Sequence, residues 1–320
     1  MELEVPPEAA GERLDTFLAR PLGSRSRAQR LIAAGSVLVD GAAPTKRQPV
    51  RAGARITVDQ HEPAGAAVDA GEQALAAPGT GERAAFEVAY EDEHLIVVDK
   101  PAGVVVHPAR GHRAGTLAQA LAGRAAGGEE AWRAGIVHRL DRDTSGLLVV
   151  AKREDVHRGL KAQLAARTMR REYLALVDGR PPARSGTIDA PIGRDRRART
   201  RMSTDSDAPK PAITHFEIVR VLPRTTLLRV RLQTGRTHQI RVHLQAIGHP
   251  VCGDPEYGRG HAGPYGLQRQ FLHAARLAFA HPVSGEPVDV GSPLPADLAA
   301  ALAEALEQGG TFPGNHSPSS

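Results

Sequence analysis

From Gln60 to Arg83 the chain is rich in Ala, Gly, Pro and acidic side chains and contains no aromatic ring. Such a stretch buries too little apolar surface to offset the entropy of ordering it, so it reads as a flexible linker. It divides the 320 residues into two unequal folding units. The smaller unit covers residues 12–59 and the larger residues 84–308. The terminal GGTFPGNHSPSS, residues 309–320, has the composition of a disordered tail.

The smaller unit reads as two short helices followed by a small hairpin, which makes it a compact α/β module. Ser26 and Gln29 form a capping box in front of Leu31 and Ile32, and Gly35 closes that helix. Arg27 and Arg30 lie three apart and share a face, while an Asp40–Gly41 turn joins residues 37–39 to a basic stretch with Lys46, Arg47 and Arg51. Together they form one positive surface. A solvated charged face has the same composition. The order of elements, however, resembles the S4-like RNA-binding module first known from a small-subunit ribosomal protein, which implies that Arg27, Arg30 and Lys46 contact RNA.

The formal charge of +5 points the same way, because it comes mostly from arginine, the side chain suited to bidentate phosphate contacts and base stacking. The single Cys252 excludes an intrachain disulfide and every multi-cysteine zinc or iron–sulfur pattern. No HExxH occurs, and neither His238/His243 nor His107/His112 has the spacing that joins two imidazoles on one helical turn, so no metal is expected. No stretch approaches the ~20 apolar residues of a membrane helix, and MELEVPPEAAGERL lacks the features of a signal peptide. A cytoplasmic monomer with no membrane contact is the expectation.

In the larger unit, residues 86–90, 95–98, 173–177, 228–232 and 288–290 read as strands. Residues 117–122, 156–169 and 237–247 read as helices, the last ended by Gly248. Residues 136–137 and 147–150 read as buried strands on either side of a polar turn. Many strands with few helices between them predict an α+β fold around a mixed, mostly antiparallel sheet.

That polar turn, HRLDRDTSG, places Asp141 and Asp143 among Arg139 and Arg142. Neighbouring cations favour ionised carboxylates, which can act as nucleophiles or bases. A turn merely stabilised by Asx and Arg–Asp contacts fits the same spacing. Tyr173 fits the core of a strand. Arg241 falls one turn into a helix predicted to bury Ile240, Leu244 and Ile247 and to present His238, Arg241 and Gln245 on its other face. An unpaired arginine beside a sheet core is costly, so Arg241 requires a carboxylate partner.

The segment HRLDRDTSGLLVVAK resembles the catalytic motif of the A-type family of large-subunit ribosomal pseudouridine synthases. EDEHLIVVDKPAGVVVHPA, LQTGRTHQIRVHLQAIGHPVCGDPEYG and REYLALV resemble three further segments of that family in the same order, so the likeness spans most of residues 86–306. It implies the pseudouridine synthase fold and an RNA-modifying isomerase that needs no cofactor. It makes Asp141 the nucleophile, Tyr173 the ring against the target base and Arg241 the partner of Asp141. It also makes Arg139 the side chain that occupies the gap left by an extruded uridine. Arg194, Arg196 and Arg197, in a run that continues to Arg199 and Arg201, read as an RNA-contacting loop, with an ordinary exposed loop as the other possibility. No catalytic role falls to His138 or His238.

The N-terminal module points to the C and D types, and GDPEYG with the C-terminal segment looks more like the D type. The implied partner is 23S rRNA or its large-subunit precursor. Arg171, where the family often has lysine, and the long linker are departures. Two other readings compete. A serine hydrolase using Ser145 lacks the GxSxG elbow. An rRNA-binding assembly factor without turnover would not need Asp141, Tyr173 and Arg241 together.

Overall fold

A computed structural model describes residues 1–22, 28–29, 31–32, 34–44, 48–59, 84–108, 114–128, 135–258 and 263–308. The expected linker and tail, the Ser26 cap, and Arg27, Arg30 and Lys46 lie outside them.

In the N-terminal unit, β1 (Glu2–Glu4), β2 (Val37–Val39) and β3 (Arg55–Val58) form an antiparallel sheet of order β1-β3-β2. Helix α1 (Leu14–Leu22) shares its core, with Leu14, Phe17, Leu18 and Leu22 buried against Val37, Ile56 and Val58. The sheet thus begins ten residues ahead of the expected unit. Asp40 and Gly41, at φ 51° and 81°, make the tight turn after β2. Asp and Gly tolerate these left-handed values, which suit the twist of a two-residue hairpin turn. The second strand of the ladder, β3, arrives only after the basic stretch.

The larger unit contains β4 (Glu87–Glu91), β5 (Leu95–Lys100), α2 (Leu117–Ala120), β6 (Ser145–Ala151), α3 (Glu154–Ala166), β7 (Arg170–Asp178) and β8 (Ser185–Asp189). They are followed by β9 (Gly193–Arg194), β10 (Met202–Ser203), β11 (Ile213–Val221), β12 (Thr225–Leu232), α4 (Gln239–Ala246), β13 (Leu272–Ala280), β14 (Pro287–Gly291) and α5 (Ala296–Glu307). Nine strands form one sheet of order β4-β5-β6-β13-β7-β12-β11-β8, with β14 paired to β13, and β9 and β10 form a separate hairpin. The fold is therefore α+β.

Among the described strands, the pairing of β13 with β6 is parallel and the others are antiparallel. Every residue of β6, SGLLVVA, is buried, as expected of a central strand covered on both faces. Its alternation divides the two cores. Leu147, Val149 and Ala151 pack with Val156 and Leu160 of α3 on one face. Leu148 and Val150 pack with Leu117, Leu244 and Leu298 of α2, α4 and α5 on the other. At Gly146, φ is +110° and an added Cβ would lie 2.3 Å from the Ala274 carbonyl oxygen. Glycine is required there for β13 to approach.

Three expectations need correction. Residues 136–137 form no strand. Ile136 makes a single bridge to Val150, and the Val149 N–H is taken by the His138 ring, 3.2 Å away, in place of a strand carbonyl. Helix α3 ends at Arg167, whose φ of 62° breaks the helix before Met169. Helix α4 starts at Gln239 rather than 237 and is buried on all sides from Gln239 to Leu244, whereas Ile247 is 36% exposed.

Candidate active site

The polar turn is clamped from behind by a fully buried cation. Lys100 donates to the carbonyls of Arg142, Pro101 and Val104 at 2.8–3.0 Å, and burial pulls its pKa down to about 7. The Gly103 N–H also reaches the Arg142 carbonyl, at 3.0 Å. From the other side, Arg269 donates to the Asp143 carbonyl at 3.0 Å, and its fork closes on Asp297 of α5. Gln270 donates to Thr144 Oγ1. With its carbonyls held at successive positions, the turn presents its side chains in fixed directions.

Those directions separate the two aspartates. Asp143 faces outward into a bidentate pair with Arg142, not with Arg139. Asp141 faces a small cleft of about 40 Å³ whose walls include Tyr173, Leu232, Arg236, His238 and Arg241. Larger clefts of about 470 and 610 Å³ open over β11 and β12, but Glu217, Arg229 and Arg231 there are exposed, where water screens charges from one another.

Arg241 donates to Asp141 Oδ2 at 3.1 Å, as the buried arginine required. Asp141 is not its main partner. Nε and Nη2 of Arg241 close a fork on Asp254 at 2.6 and 2.9 Å, and the Asp254 side chain is fully buried. Only Nη1 remains, and it points at Asp141. Burial opposes charge on both groups, but their mutual hydrogen bonds outweigh it, raising the Arg241 pKa and lowering that of Asp254. Glu256 adds a third carboxylate, 3.4 Å from Nη2.

The helix that carries Arg241 is itself pinned. Gln239 bonds Ile213 and Thr214, and His243 bonds Thr214 and Ala190, all at 2.8–3.0 Å. His238 caps α4 in the left-handed region at φ 55°. Its Nε2 lies 4.0 Å from Asp141 Oδ1 and its Nδ1 2.9 Å from the Tyr257 hydroxyl. Tyr173, 4% exposed on β7, forms the apolar wall beside Asp141, and burial raises its pKa.

Arg139 is exposed at the cleft rim. Arg194, Arg196 and Arg197 are exposed on the β9–β10 hairpin, where Arg196 meets Asp205 and Asp207 at 3.2 and 2.9 Å and Arg194 donates to the Arg199 carbonyl. His138 is held by β6, and burial lowers its pKa to about 3, so it is neutral and structural. Ser145 is 3% exposed and bonded to His273 and Arg269 beneath the turn, which excludes it as a nucleophile. Asp254, Tyr257, Lys100 and Arg269 belong to this assembly without having been singled out by sequence. Asp254 and Tyr257 stand in GDPEYG, and Lys100 opens KPAG.

A family model described as RNA pseudouridylate synthase matches residues 94–246, and an S4 domain model matches residues 12–56. An uncharacterized RNA pseudouridine synthase of Chloroflexus aurantiacus is 50% identical over 306 residues, spanning 93% of this chain and 91% of its own. Ribosomal large subunit pseudouridine synthase D of Nitrosomonas europaea is 47% identical over 310 residues, spanning 94% and 87%. The structure of human RNA pseudouridylate synthase domain containing 1 superposes with a TM-score of 0.54 at 28% identity, over 71% of this chain and 96% of that one.

Proposed function

Because the chain belongs to the RNA pseudouridylate synthase family, and is thus an isomerase acting on RNA, we propose that it converts specific uridines of 23S rRNA to pseudouridine through Asp141. The observation that carries this reading is the Arg241 fork. With two of its nitrogens committed to Asp254, the third holds the Asp141 carboxylate at the cleft. Several relatives that cover most of this chain are named ribosomal large subunit pseudouridine synthase D, which supports the substrate class.

The reaction breaks the bond between ribose C1′ and uracil N1, turns the base, joins C1′ to C5, releases the C5 proton and leaves N1 with a proton taken up in exchange. Asp141 engages the nucleotide as the bond breaks, Arg241 keeps that carboxylate aimed, and Tyr173 packs against the base. The detached uracil must stay enclosed, which an apolar wall favours. A flipped base reaches Asp141 through the open rim of this cleft. Arg139 at that rim is placed to fill the stack the uridine leaves, replacing part of the few kcal/mol lost on unstacking. In this reading the enzyme acts as a cytoplasmic monomer.

Pseudouridine mapping of rRNA from cells with and without the gene tests the substrate. The expected loss is at neighbouring uridines in the subunit-bridge stem-loop of 23S rRNA. Loss confined to the peptidyl-transferase region would favour a C-type specificity, and loss only in tRNA would overturn the substrate class.

Residues 12–59, joined through 60–83 to the catalytic unit at 84–308, supply a second RNA contact in this proposal, through Arg27, Arg30 and Lys46. Arg194, Arg196 and Arg197 act beside the cleft. Removing residues 1–83 should weaken rRNA binding and reduce the slope of log K against log salt by about 0.7–0.9 per lost phosphate contact. Filter binding from 50 to 200 mM salt measures it, and an unchanged slope would reduce these three cations to a solvated face.

A further inference from the structure

We infer that Tyr257 is the positioning residue of this site, fixing both groups that address Asp141 and joining them to the arginine-rich hairpin. The inference rests on the reading that Asp141 carries the reaction. Tyr257 is 2% exposed, and the guanidinium carbons of Arg241 and Arg201 lie over its ring at 4.9 and 5.0 Å. Such stacking favours a cation on an aromatic face and fixes its plane. The hydroxyl oxygen accepts the Met202 N–H at 3.0 Å and lies 2.9 Å from His238 Nδ1. The Tyr257 N–H in turn donates to Asp254 Oδ1, the same atom that holds Arg241.

The two oxygens of Asp141 therefore face two groups that lean on one side chain. Oδ2 receives Arg241, whose guanidinium rests on the ring, and Oδ1 lies 4.0 Å from His238, whose far nitrogen meets the hydroxyl. The hydroxyl has one proton. It accepts from Met202 and pairs with Nδ1, so it fixes the plane of the ring whose Nε2 faces Asp141, whichever of the two carries the shared proton. Glu256 lies 3.4 Å from the same Nδ1, and Arg139 and Arg241 are the cations nearby. A non-glycine residue at φ 55° keeps that conformation only where its surroundings hold it, and the Tyr257 hydroxyl supplies that hold.

The same tyrosine reaches outward. Arg201 and Met202 belong to the hairpin that displays Arg194, Arg196 and Arg197, so a hairpin seated on RNA presses on the support of the Asp141 cluster.

Full-length Tyr257→Phe keeps the ring and removes both hydroxyl bonds. With saturating 23S rRNA transcribed with uridine tritiated at C5, kcat should fall roughly 10- to 100-fold, the cost of small misplacement, while KM stays within about twofold. In the ¹⁵N-histidine NMR spectrum, the His238 ring signals, assigned by their loss in His238→Gln, should shift in Tyr257→Phe. Unchanged kcat, unmoved His238 signals, or an activity loss that merely follows a lower melting temperature would each overturn the inference. Should the wild-type chain release no tritium, the functional reading fails instead, and the His238 signals alone decide this one.

Discussion

Asp141→Asn should abolish pseudouridine formation, lowering turnover by at least roughly 10⁴-fold, as removal of a nucleophile or its essential partner does elsewhere. Asparagine keeps the shape and can still accept from Arg241 Nη1, so the turn, clamped by Lys100 and Arg269 through its carbonyls, stays in place. Stability should change by less than about 1 kcal/mol, because Arg241 retains its fork on Asp254 and the asparagine oxygen still accepts from Nη1. RNA affinity should hold or rise slightly, since the substitution removes a negative charge from a surface that meets a polyanion. Tritium release and filter binding on the same preparation separate these effects. Turnover within tenfold of wild type would end the assignment of Asp141.

Arg241→Ala should cost both activity and stability, for two separable reasons. Activity goes because Asp141 loses its fixed partner. Stability goes because Asp254, with a side chain that is fully buried, becomes an unpaired charge, a loss of roughly 3–5 kcal/mol. The sign with pH follows from the wild-type pair. Asp254 has a depressed pKa in the folded chain, so its pairing contributes fully above the unfolded carboxylate range and is lost as pH falls through the depressed value. In the variant the unpaired carboxylate takes up a proton more readily, so the deficit should be largest at neutral pH and shrink on acidification. Arg241→Ala combined with Asp254→Asn removes the buried charge. That double variant should recover most of the melting temperature and none of the turnover. Recovered turnover would show that Arg241 serves only to neutralise Asp254.

That Arg241 needs a carboxylate was legible because an arginine in an apolar helix demands one, whereas its pairing with Asp141 followed from the family resemblance. Asp254 was not legible as the stronger partner. In GDPEYG it has the look of an Asx turn, and it does accept the backbone N–H groups of Glu256 and Tyr257. Its burial arises only when that turn folds against α4, a contact no local spacing records. Periodicity also misjudged the helix face, because Gln239 and His243 are drawn inward by Thr214 on a strand 25 and 29 residues upstream. Helix α5, ADLAAALAEALE behind Pro295, went unread although its helix propensity is high. Strand β13, LHAARLAFA, is not legible, since its alanines suit a helix equally well and its partners are distant. Exposure of the hairpin arginines was expected from composition, whereas the capture of Arg196 by Asp205 and Asp207 depends on how the loop closes.

The parallel pairing of β6 with β13 also sets a schedule for the newborn chain. Ser145 and His273, paired across that ladder, lie 128 residues apart in sequence. At a synthesis rate of ~5–20 residues per second, one edge of β6 waits about 6–26 s for its neighbour. Throughout that interval a largely apolar strand has an open hydrogen-bonding edge, the form most prone to join another chain. Asp141 is made early, yet Arg241, Asp254 and Arg269, which aim and anchor it, all follow within the same delay. Competence is therefore acquired late in translation, when β13 closes the sheet.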